Sequence, residues 1–150
     1  MRADTVGRPM EILLVEDSLA DARLTIEALR DGHVKHRLTL IRDGIEAHEF
    51  LYRQGRFAQA PRPDLILLDL HLPGMHGRDL LEDIKTDYDL RDIPVVILTA
   101  SADQEDLLRS QFLQVESYLT KPVDMEKFLS VVRQLRRYWH ADVILPSEVS

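Results

Sequence analysis

Four short apolar runs in this chain each close on a residue of a type that phosphoryl chemistry uses. Ile12-Leu13-Leu14-Val15 leads into Glu16-Asp17, and Leu65-Ile66-Leu67-Leu68 into Asp69. Val95-Val96-Ile97-Leu98 leads into Thr99, and Ser117-Tyr118-Leu119-Thr120 into Lys121-Pro122. Carboxylates attack phosphorus or ligate a hard cation, and an ammonium neutralises charge gathering on phosphoryl oxygens. If the four runs are buried parallel strands, their carboxyl ends meet at one edge of the sheet, where open α/β folds place ligands. Three acids, a hydroxyl and a lysine then share one pocket.

The rest of the chain supplies elements that could build such a sheet. Apolar runs alternate with amphipathic stretches, the βαβα order of a parallel sheet covered on both faces. Ser18 is placed to cap a helix in which Leu19, Ala22, Ile26 and Leu29 recur at helical spacing and Gly32 is the stop. Residues 36–41 read as a weaker strand, and Ala47, Phe50 and Leu51 mark a second helix closing near Gly55. Arg56 to Pro63, with two prolines, reads as a loop. Pro73-Gly74 punctuates the chain after the third strand, and Leu80, Leu81 and Ile84 stripe the helix that follows. Leu107, Leu108 and Phe112 mark a fourth helix, and the last runs from about Asp124 to His140.

Composition narrows the function classes. At 150 residues and 45% hydrophobic, the chain is expected to bury roughly two-thirds of its unfolded surface in one domain. That domain is placed at residues 11–140, between a flexible N-terminal extension, residues 1–10, and a C-terminal tail, residues 141–150. The net charge of -7 argues against general affinity for nucleic acid or an anionic membrane, both of which require clustered positive charge. With no cysteine, disulfides and thiolate metal sites are excluded. The first ten residues lack the apolar core of a signal peptide and no run is long enough to span a bilayer, so a cytoplasmic protein is expected.

Five strands and five helices in this order, with acids closing strands one and three, resemble the receiver domain of two-component response regulators. The resemblance covers roughly residues 11 to 140, and Thr99, Tyr118 and Lys121 stand at the intervals from Asp69 that the family pattern expects. It implies an α/β, flavodoxin-like (βα)5 doubly wound parallel sheet with strand order 2-1-3-4-5. It implies Asp69 as the phosphoacceptor, taking a phosphoryl group from the phosphohistidine of a sensor histidine kinase as a mixed anhydride. The protein is then a signalling phosphoacceptor that catalyses only its own phosphorylation and dephosphorylation. Thr99 and Tyr118 form the switch: the Thr99 hydroxyl bonds a phosphoryl oxygen and the Tyr118 ring fills the space its loop leaves. The Lys121-Pro122 bond resembles one that is cis in the family, which suits proline's low cis penalty and aims Lys121 at the pocket.

Clustering Glu16, Asp17 and Asp69 is costly, because like charges a few ångströms apart raise one another's pKa. A divalent cation offsets this. Mg²⁺ prefers oxygen ligands and keeps several waters, so Asp17, Asp69 and the backbone carbonyl of His71 suit it, with Glu16 reaching it through water. Many receivers carry two aspartates where this chain has Glu16-Asp17, a mild departure. In the family, the residues two after the acceptor and two after the switch threonine flank the path of attacking water. Here these are His71 and Ser101, neither suited to orienting that water, so slow self-dephosphorylation is expected.

Each residue taken alone has a plainer explanation. An aspartate after a buried strand is often only a helix N-cap, as is a threonine such as Thr99. Tyr118 alone reads as an edge-strand aromatic and Lys121 as a solvated charge, so it is the joint spacing that carries the argument. His33, His36, His48, His71, His76 and His140 show no metal-ligand spacing through their side chains, and Arg133, Arg136 and Arg137 read as a solvated face. Two other classes compete. A flavodoxin-like cofactor protein needs a hydroxyl- and glycine-rich phosphate loop where EDSLAD offers acids. A haloacid-dehalogenase-like small phosphatase typically shows a second aspartate where this chain has His71.

Only residues 141–150 follow the last helix, so a stand-alone receiver is expected, acting through protein contacts as a diffusible switch or beside a histidine phosphotransfer protein. The segments GRFAQAPRPDLILLDLHLPG, IPVVILTAS and KPVDMEKFL with YWHADVILP resemble small receivers that serve bacterial phytochrome histidine kinases. On the last helix, Met125, Phe128, Leu129, Val132, Leu135 and Trp139 share one face. Val131 and Tyr138 widen the apolar arc to about 180°, beyond the ~100° stripe that covers one side of a sheet. Part of that face is therefore expected to be exposed and to form a symmetric homodimer through Val131, Leu135 and Tyr138. The less favoured alternative is that Val143, Ile144 and Leu145 of the tail fold back over it.

Overall fold

A computed structural model describes residues 7–111, 113–139 and 143–144. Its strands are β1 (Met10–Val15), β2 (His36–Ile41), β3 (Leu65–Asp69), β4 (Val95–Thr99) and β5 (Ser117–Thr120). Its helices are α1 (Leu19–Asp31), α2 (Gly44–Leu51), α3 (Gly77–Thr86), α4 (Ala102–Arg109) and α5 (Met125–Gln134). The strands form one parallel sheet in the order β2-β1-β3-β4-β5, the doubly wound, flavodoxin-like (βα)5 arrangement expected.

Strand alternation explains why these runs are apolar throughout. Successive side chains point to opposite faces, and both faces are covered. Leu13, Val15, Ile66, Leu68, Val95 and Ile97 face one cluster, with Ala47, Phe50 and Leu51 of α2, Leu80, Leu81 and Ile84 of α3, and Leu108 of α4. Ile12, Leu14, Leu65, Leu67, Val96 and Leu98 face the other, with Ala22 and Leu29 of α1 and Phe128, Val131 and Val132 of α5. Among the described residues no helix is long and apolar enough to cross a membrane.

The register brings the strand ends together. Val15 pairs with Leu68, Asp69 with Leu98, and Thr99 with Thr120, so Glu16, Asp69, Thr99 and Lys121 follow one another across the carboxyl edge. The loop between β3 and α3 is clamped by close backbone approaches. The Gly44 N–H donates to Pro73 O at 3.1 Å, and a Cβ on Gly44 would lie 2.1 Å from Met75 O. A Cβ on Gly77 would lie 2.5 Å from the Leu70 backbone, so both positions require glycine.

Several boundaries differ from expectation. Met10, assigned to a flexible extension, opens β1 and is fully buried, and Arg8 holds the Asp64 carboxylate through contacts of 2.7 and 2.9 Å. α2 stops at Leu51 rather than near Gly55, because Arg53 turns to φ 54 and the Gln54 N–H reaches back to Glu49 O. α5 stops at Gln134, where the Leu135 N–H divides between Val131 O and Val132 O, and a 3₁₀ turn follows at Arg136–Tyr138. That turn delivers the Trp139 indole N–H to Asp64 O at 2.6 Å. Phe112, His140 and Leu145 lie outside the described residues.

Candidate functional site

Each helix that follows a site strand carries its own N-cap, so the strand-end residues are not consumed as caps. Ser18 caps α1, His76 caps α3 through its imidazole, and Ser101 caps α4. This removes the plain explanation for Asp17, Asp69 and Thr99.

Lys121 organises the edge. Its N–H donates to Thr99 O at 2.7 Å, its peptide bond to Pro122 is cis, and its side chain is largely buried. Nζ donates to Glu16 Oε1 at 3.0 Å, Asp21 Oδ2 at 2.8 Å and Asp69 Oδ2 at 2.9 Å. Burial opposes the ammonium, but its bonds to Asp21, Asp69 and Glu16 more than offset that and hold its pKa above the ordinary lysine value. Glu16 is 1% exposed, and burial pushes its pKa up to about 6, a rise opposed by Lys121 and reinforced by Asp69. Asp69, 7% exposed, accepts the His71 N–H on Oδ1 at 2.8 Å, so both its oxygens are oriented.

Asp17 is exposed beside this cluster, and its carbonyl accepts from Arg42 Nε and Nη2 at 3.2 and 2.9 Å. Among the described residues, no three His, Cys, Asp or Glu side chains make a metal site by themselves. The expected donor set is different in kind: two carboxylates, the His71 carbonyl and water, all hard oxygens, which is how Mg²⁺ is commonly held.

Thr99 is fully buried, and its single hydroxyl proton is shared among long contacts of 3.3 Å to Ser101 O, 3.4 Å to Leu119 O and 3.3 Å to Thr120 Oγ1. No short bond holds it in one orientation. Tyr118 already lies inward. Its hydroxyl donates to Leu108 O at 3.4 Å, its ring sits under the Arg109 guanidinium at 4.7 Å, and burial raises its pKa. The Thr120 hydroxyl donates to Glu105 Oε1 at 2.9 Å, and Glu105 Oε2 accepts Arg109 Nε at 3.0 Å, which ties α4 to β5 beside the switch pair.

The residues expected at a dimer contact are not brought to the surface together. Val131 and Leu135 are buried within the protomer, in the cluster that also takes Val143 from the tail, and Tyr138 alone is exposed, at 37%. Helical phase had counted them as one strip. Val143 bridges Arg8 and lies in the cluster that buries Val131 and Leu135, so the disfavoured tail covering is present for Val143, while the Ile144 N–H donates to Arg8 O at 2.9 Å. The site also contains residues that the sequence reading passed over. Asp21 stands four residues after Asp17, a helical spacing that could have flagged it. His71, in the loop after β3, meets Gln104 in the first turn of α4, and no sequence interval marks that contact.

A family model for the response regulator receiver domain matches residues 12–133, and the chain belongs to that family. The chain is similar to Response regulator Rcp1 of Synechocystis sp., 43% identical over 145 residues, covering 97% of this chain and 99% of Rcp1. The structure of the Mn(2+)-bound form of Rcp1 superposes with a TM-score of 0.69 at 45% identity, covering 93% of this chain and 100% of that one. The phosphorylated cyanobacterial phytochrome response regulator RcpA gives a TM-score of 0.69 at 42% identity, covering 93% of this chain and 99% of that one. Membership in this family leaves the phosphatase and cofactor-protein readings without support.

Proposed function

We propose that Asp69 accepts a phosphoryl group from the phosphohistidine of a sensor histidine kinase of the phytochrome class. One carboxylate oxygen attacks phosphorus in line, the phosphorus–nitrogen bond breaks, and the histidine leaves as the mixed anhydride forms. The observation that carries this is the Lys121 ammonium at 2.9 Å from Asp69, on an acid that caps no helix. Lys121 places positive charge where the equatorial phosphoryl oxygens gather negative charge, and the His71 N–H fixes the carboxylate plane. Thr99, held only by long contacts, turns its hydroxyl to the new oxygens, and Tyr118 under Arg109 registers the change at α4. Asp17, Asp69 and the His71 carbonyl would hold Mg²⁺, with Glu16 reaching it through water, and the ion would supply further charge neutralisation; the Mn(2+)-bound relative supports a divalent cation here.

The relatives named for phytochromes support the kinase class, and a histidine phosphotransfer protein presents the same phosphohistidine. Self-association remains part of this reading, with Tyr138 as the exposed contact residue. Incubating the chain with an autophosphorylated phytochrome kinase and following the label tests the assignment. Rapid loss of label from the kinase and its appearance on this chain is expected. Label that stays on the kinase while the chain still accepts it from acetyl phosphate would retain the acceptor and reject the kinase class.

A further inference from the structure

Gln104, in the first turn of α4, joins the two loops that flank Asp69. Its Oε1 accepts the Ala100 N–H at 2.7 Å, and its Nε2 lies 2.7 Å from Nε2 of His71. Its own N–H donates to Ser101 Oγ at 3.2 Å, so the helix cap fixes the backbone from which the carboxamide reaches. With the oxygen end committed to a donor, the amino end faces His71 and needs a lone pair there. His71 therefore takes the tautomer with its proton on Nδ1. The carboxamide thus ties Ala100, next after Thr99, to His71, whose backbone N–H orients Asp69 Oδ1. A cavity of about 210 Å³ lies against this bridge, with Leu70, Leu98, Arg78 and Leu107 in its lining.

We propose that Gln104 is the latch of the resting protein: a positioning residue that occupies the Ala100 N–H until a phosphoryl oxygen claims it. The inference rests on Asp69 being the acceptor. Phosphorylation adds three charged oxygens beside a lysine already holding three carboxylates, and new donors are needed there. The Thr99 hydroxyl is one, and the Ala100 N–H is the backbone donor next to it. A charged phosphoryl oxygen is a stronger acceptor than a carboxamide, so the exchange is favourable. Once displaced, the Gln104 amide no longer fixes His71, and the first turn of α4 loses its tie to the acceptor loop. Gln104 therefore opposes phosphorylation and couples it to movement of α4.

Comparing the full chain with a Gln104→Met variant, which keeps the side-chain length and removes both hydrogen-bonding groups, tests the latch. With acetyl phosphate and Mg²⁺ the variant should label about two- to tenfold faster, the range that one hydrogen bond covers. The rate at saturating donor should rise while the half-saturating concentration stays unchanged, since Gln104 touches no donor. NMR gives a readout that simple loosening would not: the resting Ala100 amide proton should lie further downfield in wild type than in the variant. A wild type that labels, with the variant labelling at the same rate or slower, overturns the latch. So does an Ala100 shift identical in the two resting proteins. A wild type that accepts no label overturns Asp69 as acceptor and takes the latch with it. If the variant does not fold, the wild type decides alone. Adding beryllium trifluoride as a phosphoryl mimic must change the His71 ring nitrogen shifts from the Nδ1–H pattern, and unchanged shifts overturn the proposal.

Discussion

Lys121 Nζ lies 2.9 Å from Asp69 Oδ2, and the same ammonium holds Glu16 at 3.0 Å and Asp21 at 2.8 Å. One cation is thus shared among three acids drawn from β3, the end of β1 and α1. The arrangement leaves negative charge in excess of what Lys121 offsets, which a divalent cation can neutralise, and it keeps the acceptor carboxylate oriented before any donor arrives.

Replacing Lys121 with methionine separates these roles. The acids lose their shared partner, and removing one member of a buried ion cluster costs about 3–5 kcal/mol. Asp21, at 37% side-chain exposure, can turn to water, which places the expected loss in unfolding free energy at the lower end of that range. Labelling by acetyl phosphate should fall by about a hundred- to a thousandfold, the scale of losing a charge-stabilising donor in the transition state. A variant as stable and as quickly labelled as wild type would contradict the geometry.

Asp69→Asn should fold, because the amide oxygen can still accept the His71 N–H, yet take no label, because an amide is not a competent nucleophile here. Chelation of divalent cations should abolish labelling of the wild type, and Mg²⁺ should restore it. Asp17→Asn should raise the Mg²⁺ concentration needed for half-maximal labelling, by about tenfold for the loss of one charged ligand. Titrating Mg²⁺ against the labelling rate measures this, and an unchanged midpoint would remove Asp17 from the metal site.

How far the sequence carried is clearest residue by residue. Leu13 and Leu14 point to opposite sheet faces and both are buried, so an unbroken apolar run was a sound signal for an internal parallel strand. Glu16, Asp69, Thr99 and Lys121 were legible because strand ends in parallel register must share an edge. Asp21 and Gln104 were not, because each acts through a side chain reaching across a loop. The exposure of α5 was misjudged because a helical wheel assumes constant phase to Trp139. The chain instead leaves the α-helix after Gln134, and Val143 arrives from outside the helix.

The lifetime of the phosphorylated state depends on the residues beside the acceptor. Ser101 is occupied as the α4 N-cap, with Oγ accepting the Gln104 N–H at 3.2 Å, and a hydroxyl is a poor base, so it is not poised to orient water. Slow self-dephosphorylation is the expected outcome. Ser101→Asp keeps a capping oxygen and adds a carboxylate that can orient water, and it should speed decay of the label about tenfold, within what one general base contributes or below it. Following label decay after donor removal checks this. Equal decay in the two proteins would remove position 101 from the account.

The last helix distinguishes covering by the tail from association between copies. Val131 is 6% exposed, in the core cluster that also holds Val143, whereas Tyr138 is 37% exposed on the 3₁₀ turn. Val131→Glu would bury a charge with no partner, and it is expected to destabilise the fold by on the order of 4 kcal/mol or more, seen as a lowered denaturant midpoint. Tyr138→Glu should leave stability within about 0.5 kcal/mol, as exposed substitutions do. It therefore tests the homodimer without confounding it with unfolding. Light scattering on wild type and Tyr138→Glu, each with and without phosphorylation, is expected to show a dimer that the substitution weakens. A wild type that stays monomeric when phosphorylated at high concentration would end the dimer reading, and a dimer indifferent to Tyr138→Glu would move its contact off this turn.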